Sequence, residues 1–185
     1  IGMHKKVLTE VDLYYGEVAM PKGFEIDRNR IKNDILKSFV TSDRIDNNPQ
    51  SYSYKDYKVP FSQPLQWMQD YIRDHWRVEY ERSLVPKTIC ANILHPKEQS
   101  WTRHRVDPVD LRHSPDYTLI YGVNVNEDSS KCIIEYDDNR RKNRTWQMPI
   151  KNNHFIMFPA TNRYSITPNT SNGLNIILTI NYEYI

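Results

Sequence analysis

At 185 residues the chain is long enough for one well-buried core and short for two. Hydrophobic residues make up 38% and aromatics 12%, with 13 tyrosines, which excludes a disordered chain. A formal charge of +2 gives no mandate for nucleic acid or an anionic membrane, and no run approaches the ~20 apolar residues of a membrane span.

The start, Ile1-Gly2-Met3-His4-Lys5-Lys6, lacks the apolar stretch of a secretory signal. Residues 7–20 alternate weakly and reach Val18 and Met20 before the turn signal Pro21-Lys22-Gly23. Ile31, Ile35, Leu36, Phe39 and Val40 then fall on one helical face, with Asp27 placed to cap it, which predicts a helix over 27–40. The polar stretch from Thr41 to Lys58 reads as a long surface loop. Ser62 before Pro64 is a cap and first turn, and Leu65, Met68, Ile72 and Trp76 continue at helical spacing, which predicts a second helix over 62–82.

After Pro86 the pattern changes to short β-rich runs: Thr88–Leu94, Thr118–Asn126, Lys131–Tyr136, Thr145–Met148, His154–Phe158, Arg163–Thr167 and Leu174–Tyr184. Turn residues separate them, notably 126–130 and 169–173. Helices first and strands afterwards is an α+β order, mainly β, and predicts a jelly roll with the helices packed outside one sheet. We expect a single domain over 1–185, divided into an N-terminal helical part (1–86) and a jelly-roll core (87–185). Cys90 and Cys132 both sit in β-like runs and are expected as buried free thiols in an intracellular, cytoplasmic protein. The basic run Asn139-Arg140-Arg141-Lys142-Asn143-Arg144 is either a contact for phosphate or an acidic partner, or a solvated turn balanced by Glu135, Asp137 and Asp138.

A likeness to a known family rests on the last third. The closing segment is Phe158-Pro159-Ala160-Thr161-Asn162-Arg163-Tyr164-Ser165-Ile166-Thr167-Pro168-Asn169, followed by Asn175-Ile176-Ile177-Leu178-Thr179-Ile180-Asn181. Upstream stand Trp101-Thr102-Arg103-His104-Arg105-Val106-Asp107, Tyr117–Asn124 and Ile133-Ile134-Glu135-Tyr136. Over about residues 88–183 this order resembles the 2-oxoglutarate/Fe(II)-dependent oxygenases of the prolyl-hydroxylase type, and it implies a double-stranded β-helix.

The resemblance also implies a site. Two histidines and a carboxylate would hold Fe(II) on one face, and an arginine would pair with the distal carboxylate of 2-oxoglutarate. Mapped residue by residue, Asp107 takes the carboxylate position, Arg105 the place of its i−2 histidine, Tyr164 that of the second histidine, and Asn175 that of the arginine. Three of those four side chains are the wrong chemistry. Strand parity turns His104 away from Asp107. Arg105, Asp107 and Tyr164 are therefore expected to share one pocket, with Asn175 at its inner end, and neither Fe(II) nor 2-oxoglutarate is expected to bind.

Three functions follow from that mapping. The first is a non-catalytic binding or structural role, with a protein or small-molecule partner and neither membrane nor nucleic acid. The second is an active hydroxylase, a dioxygenase with rearranged ligands: His104 and Asp107 with His113 or His154. The third is a jelly-roll protein of the virion type, alike in architecture only.

Overall fold

The computed structural model describes residues 2–8, 10–41, 52–53, 56–80, 82–100, 102–137 and 143–185. Trp101 and most of the basic run, residues 139–142, lie outside them. In chain order come β1 (Tyr14–Glu17), α1 (Arg28–Thr41), β2 (Tyr52–Ser53), β3 (Tyr57–Lys58), α2 (Gln63–Tyr80), β4 (Leu84–Leu94) and β5 (Gln99–Ser100). A short 3₁₀ turn, Leu111–His113, precedes β6 (Tyr117–Asn124), β7 (Lys131–Asp137), β8 (Asn143–Pro149), β9 (His154–Pro159), β10 (Tyr164–Ile166) and β11 (Asn175–Tyr184).

Both helices begin where their sequences cap them. The amide of Arg30 donates to Asp27 Oδ1 at 3.2 Å, and the amide of Leu65 to Ser62 Oγ at 3.4 Å. The apolar stripe of α2, Leu65, Met68, Ile72 and Trp76, is buried, as are Ile31 and Ile35 of α1. Val40 departs from the expected stripe and is 78% exposed, because at 3.6 residues per turn its place nine residues after buried Ile31 is the opposite side of the helix. No helix of the described residues is long and apolar enough to cross a membrane.

The strands make two main sheets. The larger runs β1-β9-β6-β11-β4-β3, and the smaller runs β10-β7-β8. Parity divides the side chains of the larger sheet. Leu119, Tyr121, Val123, Met157, Ile176, Leu178 and Ile180 pack with the helices in one core. Their neighbours Ile120, Ile156, Phe158 and Ile177 turn inward to meet Cys132, Ile134, Tyr164 and Ile166 of the smaller sheet in a second core. The architecture is therefore mainly β, a jelly roll with helices outside one sheet.

Two features differ from the sequence reading. The weakly alternating residues 7–20 supply an edge strand, β1, paired with β9. The stretch from Thr41 to Lys58 is not all loop: β2 pairs with β5 and β3 with β4, which brings Asp56 against the sheets. At one point the backbones nearly touch. A Cβ added at Gly122 would overlap the carbonyl of Lys151, where Asn153 N donates to Gly122 O at 2.9 Å.

Candidate functional site

The segment before the 3₁₀ turn joins the smaller sheet through a single bridge, at Arg103. Arg103 N donates to Tyr164 O at 2.9 Å, and Tyr164 N donates to Arg103 O at 2.8 Å. Arg105 N donates to Ala160 O at 3.1 Å, where the chain bends. With a period of two, Arg103 and Arg105 share a face and His104 is exposed on the opposite one.

That shared face looks onto Tyr164, which is 1% exposed. Each guanidinium carbon stands 5.9 Å from the centre of the Tyr164 ring. Arg105 Nε donates to Tyr164 Oη at 2.9 Å. The carboxylate of Asp56 spans the two arginines, Oδ2 lying 3.2 Å from Arg105 Nη1 and Oδ1 lying 3.4 Å from Arg103 Nη2. Asn92, on the inner face of β4, donates to Asp56 Oδ1 at 2.9 Å and accepts from Arg103 Nη2 at 3.4 Å. The pair is not fully matched: Arg103 Nε and Arg105 Nη2 are buried and have no hydrogen-bond partner among the described residues.

Charge settles in this cluster against the cost of burial. Burial pushes the Asp56 carboxyl up, but Arg103, the Asn92 amide and Arg105 together outweigh it and hold the group below its ordinary 3.8. Burial also works against the Arg105 cation, and the oxygens of Tyr164 and Asp56 more than restore it. The thiol of Cys90 is pushed up to about 11, first by burial and then by the Asp56 charge.

The remaining candidates lie elsewhere. Asp107 does not face Arg105. The strand ends there and the chain enters a turn, with Asp110 N donating to Asp107 O at 3.1 Å, so strand parity no longer applies. The exposed carboxylate of Asp107 accepts from Val109 N at 2.9 Å. His113 packs its Nδ1 2.9 Å from Asp110 Oδ1 on the exposed turn. His154 opens β9 opposite Glu17, with Nδ1 2.8 Å from Asn152 O. Among the described residues no three His, Cys, Asp or Glu side chains form a group able to hold a metal ion.

Asn175 is 0% exposed and ties the start of β11 to the β6–β7 turn. Its Oδ1 accepts from Asn126 N at 2.9 Å and Asn126 Nδ2 at 3.0 Å. Its Nδ2 donates to Ser129 Oγ at 2.8 Å and Ser130 Oγ at 2.9 Å. The amide has nothing left with which to grip a ligand.

Arg103, Asp56 and Asn92 escaped the sequence reading. The parity argument used for Arg105 points equally to Arg103 two residues earlier. Asp56 carries no local signal, since it reaches Asn92 across 36 positions of the chain. A cavity of about 720 Å³ opens in another place, between residues 11–15 and the smaller sheet, and includes Tyr15, Tyr136 and Trp146 but neither arginine.

No family model matches the chain, and no curated protein does. Solved structures do. The viral collagen prolyl hydroxylase of Paramecium Bursaria Chlorella virus-1, solved with 2-oxoglutarate, superposes with a TM-score of 0.63 at 11% identity, over 92% of this chain and 94% of that one. A Pseudomonas putida prolyl-4-hydroxylase gives 0.63 at 8% identity, over 92% and 91%. The non-heme α-ketoglutarate-dependent carbocyclase SnoK from nogalamycin biosynthesis gives 0.64 at 7% identity, over 92% and 78%. At such identities the likeness establishes the fold: this chain has the double-stranded β-helix of the 2-oxoglutarate/Fe(II) oxygenases.

Proposed function

We propose that the chain is an oxygenase-fold protein without a working iron or 2-oxoglutarate site, which acts by binding a protein or small-molecule partner rather than by oxidising one. The observation that carries this reading is the Arg103–Arg105–Tyr164 cluster. A guanidinium has no lone pair to give a metal and repels one by its charge. Two of them share a face beside Tyr164, and the resemblance calls for imidazole at both Arg105 and Tyr164. These residues do not fit Fe(II). Asn175 adds to the argument, because an amide with four hydrogen bonds offers neither charge nor a free donor to a co-substrate. Replacing a charged partner of a buried carboxylate typically costs about 2–5 kcal/mol, or roughly 30- to several-thousand-fold in affinity. A rearranged hydroxylase would need His104 and Asp107 to meet His113 or His154. Exposed turns and opposite strand faces separate them, which weighs against it.

The test is metal analysis of protein equilibrated anaerobically with Fe(II), followed by a 2-oxoglutarate turnover assay. Iron retention should match that of an Asp107→Ala variant, and succinate should stay at the protein-free background. Stoichiometric iron with succinate above background would replace this reading with an active oxygenase.

A further inference from the structure

Arg103 and Arg105 hold two positive charges inside the fold, and Asp56 is the one carboxylate among the described residues that reaches them. The arginine side chains are 26% and 12% exposed, so water screens the surplus poorly. The shortage shows in the donors as well as in the charge. Arg103 Nε and Arg105 Nη2 are buried without an acceptor among the described residues, whereas the large majority of buried side-chain polar atoms in proteins have a partner. Two orphaned donors on one pair of guanidiniums mark the place of a missing acceptor.

The geometry of Asp56 says what kind. One carboxylate lies across both arginines and gives one oxygen to each, at 3.4 Å and 3.2 Å. The carboxylate of a free acid presents the same planar pair of oxygens, and guanidinium forks match it. Asp56 reaches the site from the short connection between β2 and β3, not from the inner face of a sheet strand. Asn92 meets it from β4 with an amide donor suited to any carboxylate oxygen.

We propose that Arg103 and Arg105 form a receptor for the carboxylate of a small organic acid, with Asp56 as the chain's own stand-in for that group. The inference rests on the reading above of a site without iron. A free acid enters by exchanging with Asp56, carboxylate for carboxylate, and brings acceptor capacity to the orphaned donors. Because Asp56 is tethered, it competes at an effective concentration on the order of millimolar, which weakens the apparent affinity of the unmodified protein.

The probes are acetate and succinate, titrated calorimetrically at constant ionic strength with chloride as the control. Asp56→Asn keeps an acceptor for Asn92 while removing the competing charge. Saturable binding is expected in that variant, weaker by about tenfold or more in the unmodified protein, and absent from an Arg103→Gln/Arg105→Gln double variant. A folded Asp56→Asn protein with no saturable heat, or one that responds equally to chloride, overturns the proposal and leaves buried water as the missing acceptor. If Asp56→Asn does not fold, thermal melts of the unmodified protein decide. A saturable rise in Tm with succinate supports the receptor, and no rise beyond that with chloride overturns it. Iron and turnover are measured on the same preparation. Iron-free, inactive protein that ignores both acids fails this inference alone, whereas iron with turnover fails the earlier one.

Discussion

Replacing Asn175 with alanine isolates what that side chain does. Four hydrogen bonds disappear together, and their partners fare differently. Asn126 Nδ2 keeps Leu174 O at 3.2 Å, and Ser129 Oγ keeps Asn126 O at 2.6 Å. The amide of Asn126 and the hydroxyl of Ser130 have no second hydrogen bond among the described residues, and Ser130 is buried. Two groups lose about 1 kcal/mol each, and the unmet Asn126 amide and Ser130 hydroxyl cost about 1–3 kcal/mol each, for a total near 4–8 kcal/mol. That is a large part of the ~5–15 kcal/mol that holds a domain together. At roughly 2–4 °C per kcal/mol for a chain of this size, Tm should fall by about 8–32 °C. Urea unfolding followed by far-UV circular dichroism measures the free energy directly. A loss below about 1 kcal/mol would refute the structural role, and an unchanged Tm with altered 2-oxoglutarate binding would return Asn175 to the ligand.

Gly122→Ala drives a methyl into the carbonyl of Lys151, and the same unfolding assay should register a loss of about 2–3 kcal/mol. Asp56 has its folded pKa below its ordinary 3.8, so its contribution is fully present above 3.8 and fades as pH falls through the folded value. The stability difference between the unmodified protein and Asp56→Asn should therefore be flat above about pH 5 and shrink below pH 3.8. With its thiol pushed up to about 11, Cys90 should alkylate about a hundredfold more slowly than an unhindered thiol at pH 8, read by peptide mass spectrometry. Cys132, fully buried and pushed up to about 12, should react only on unfolding.

Much of the framework was legible because local rules and tertiary packing agree here. β6 and β11 read as nearly continuous apolar runs, and the structure explains why: helices cover one face of the larger sheet while the smaller sheet covers the other. Asp27 and Ser62 mark helix starts by chemistry that acts within three residues. The site was harder to read. Parity on an extended segment relates Arg105 to Arg103 and sets His104 apart, but it fails one residue into the turn that carries Asp107. Asp56 arrives through a tertiary contact with no sequence periodicity behind it. Asn175 could be recognised as lacking a charge, whereas its four partners in the β6–β7 turn and beside it emerge only once β11 is paired.

The larger sheet ends at β4, whose outer edge is met among the described residues only by β3, at Cys90 and Ala91. Among the described residues no strand pairs with the rest of that edge, from Leu84 to Ile89, and an open edge is the usual route to edge-to-edge aggregation. Pro86, within this stretch, has no amide hydrogen to offer a strand. Opposite it the β11 register slips between Asn181 and Tyr182, which distorts the edge that a second strand would have to follow. A chain dense in β structure thus carries its own protection against strand addition along this edge.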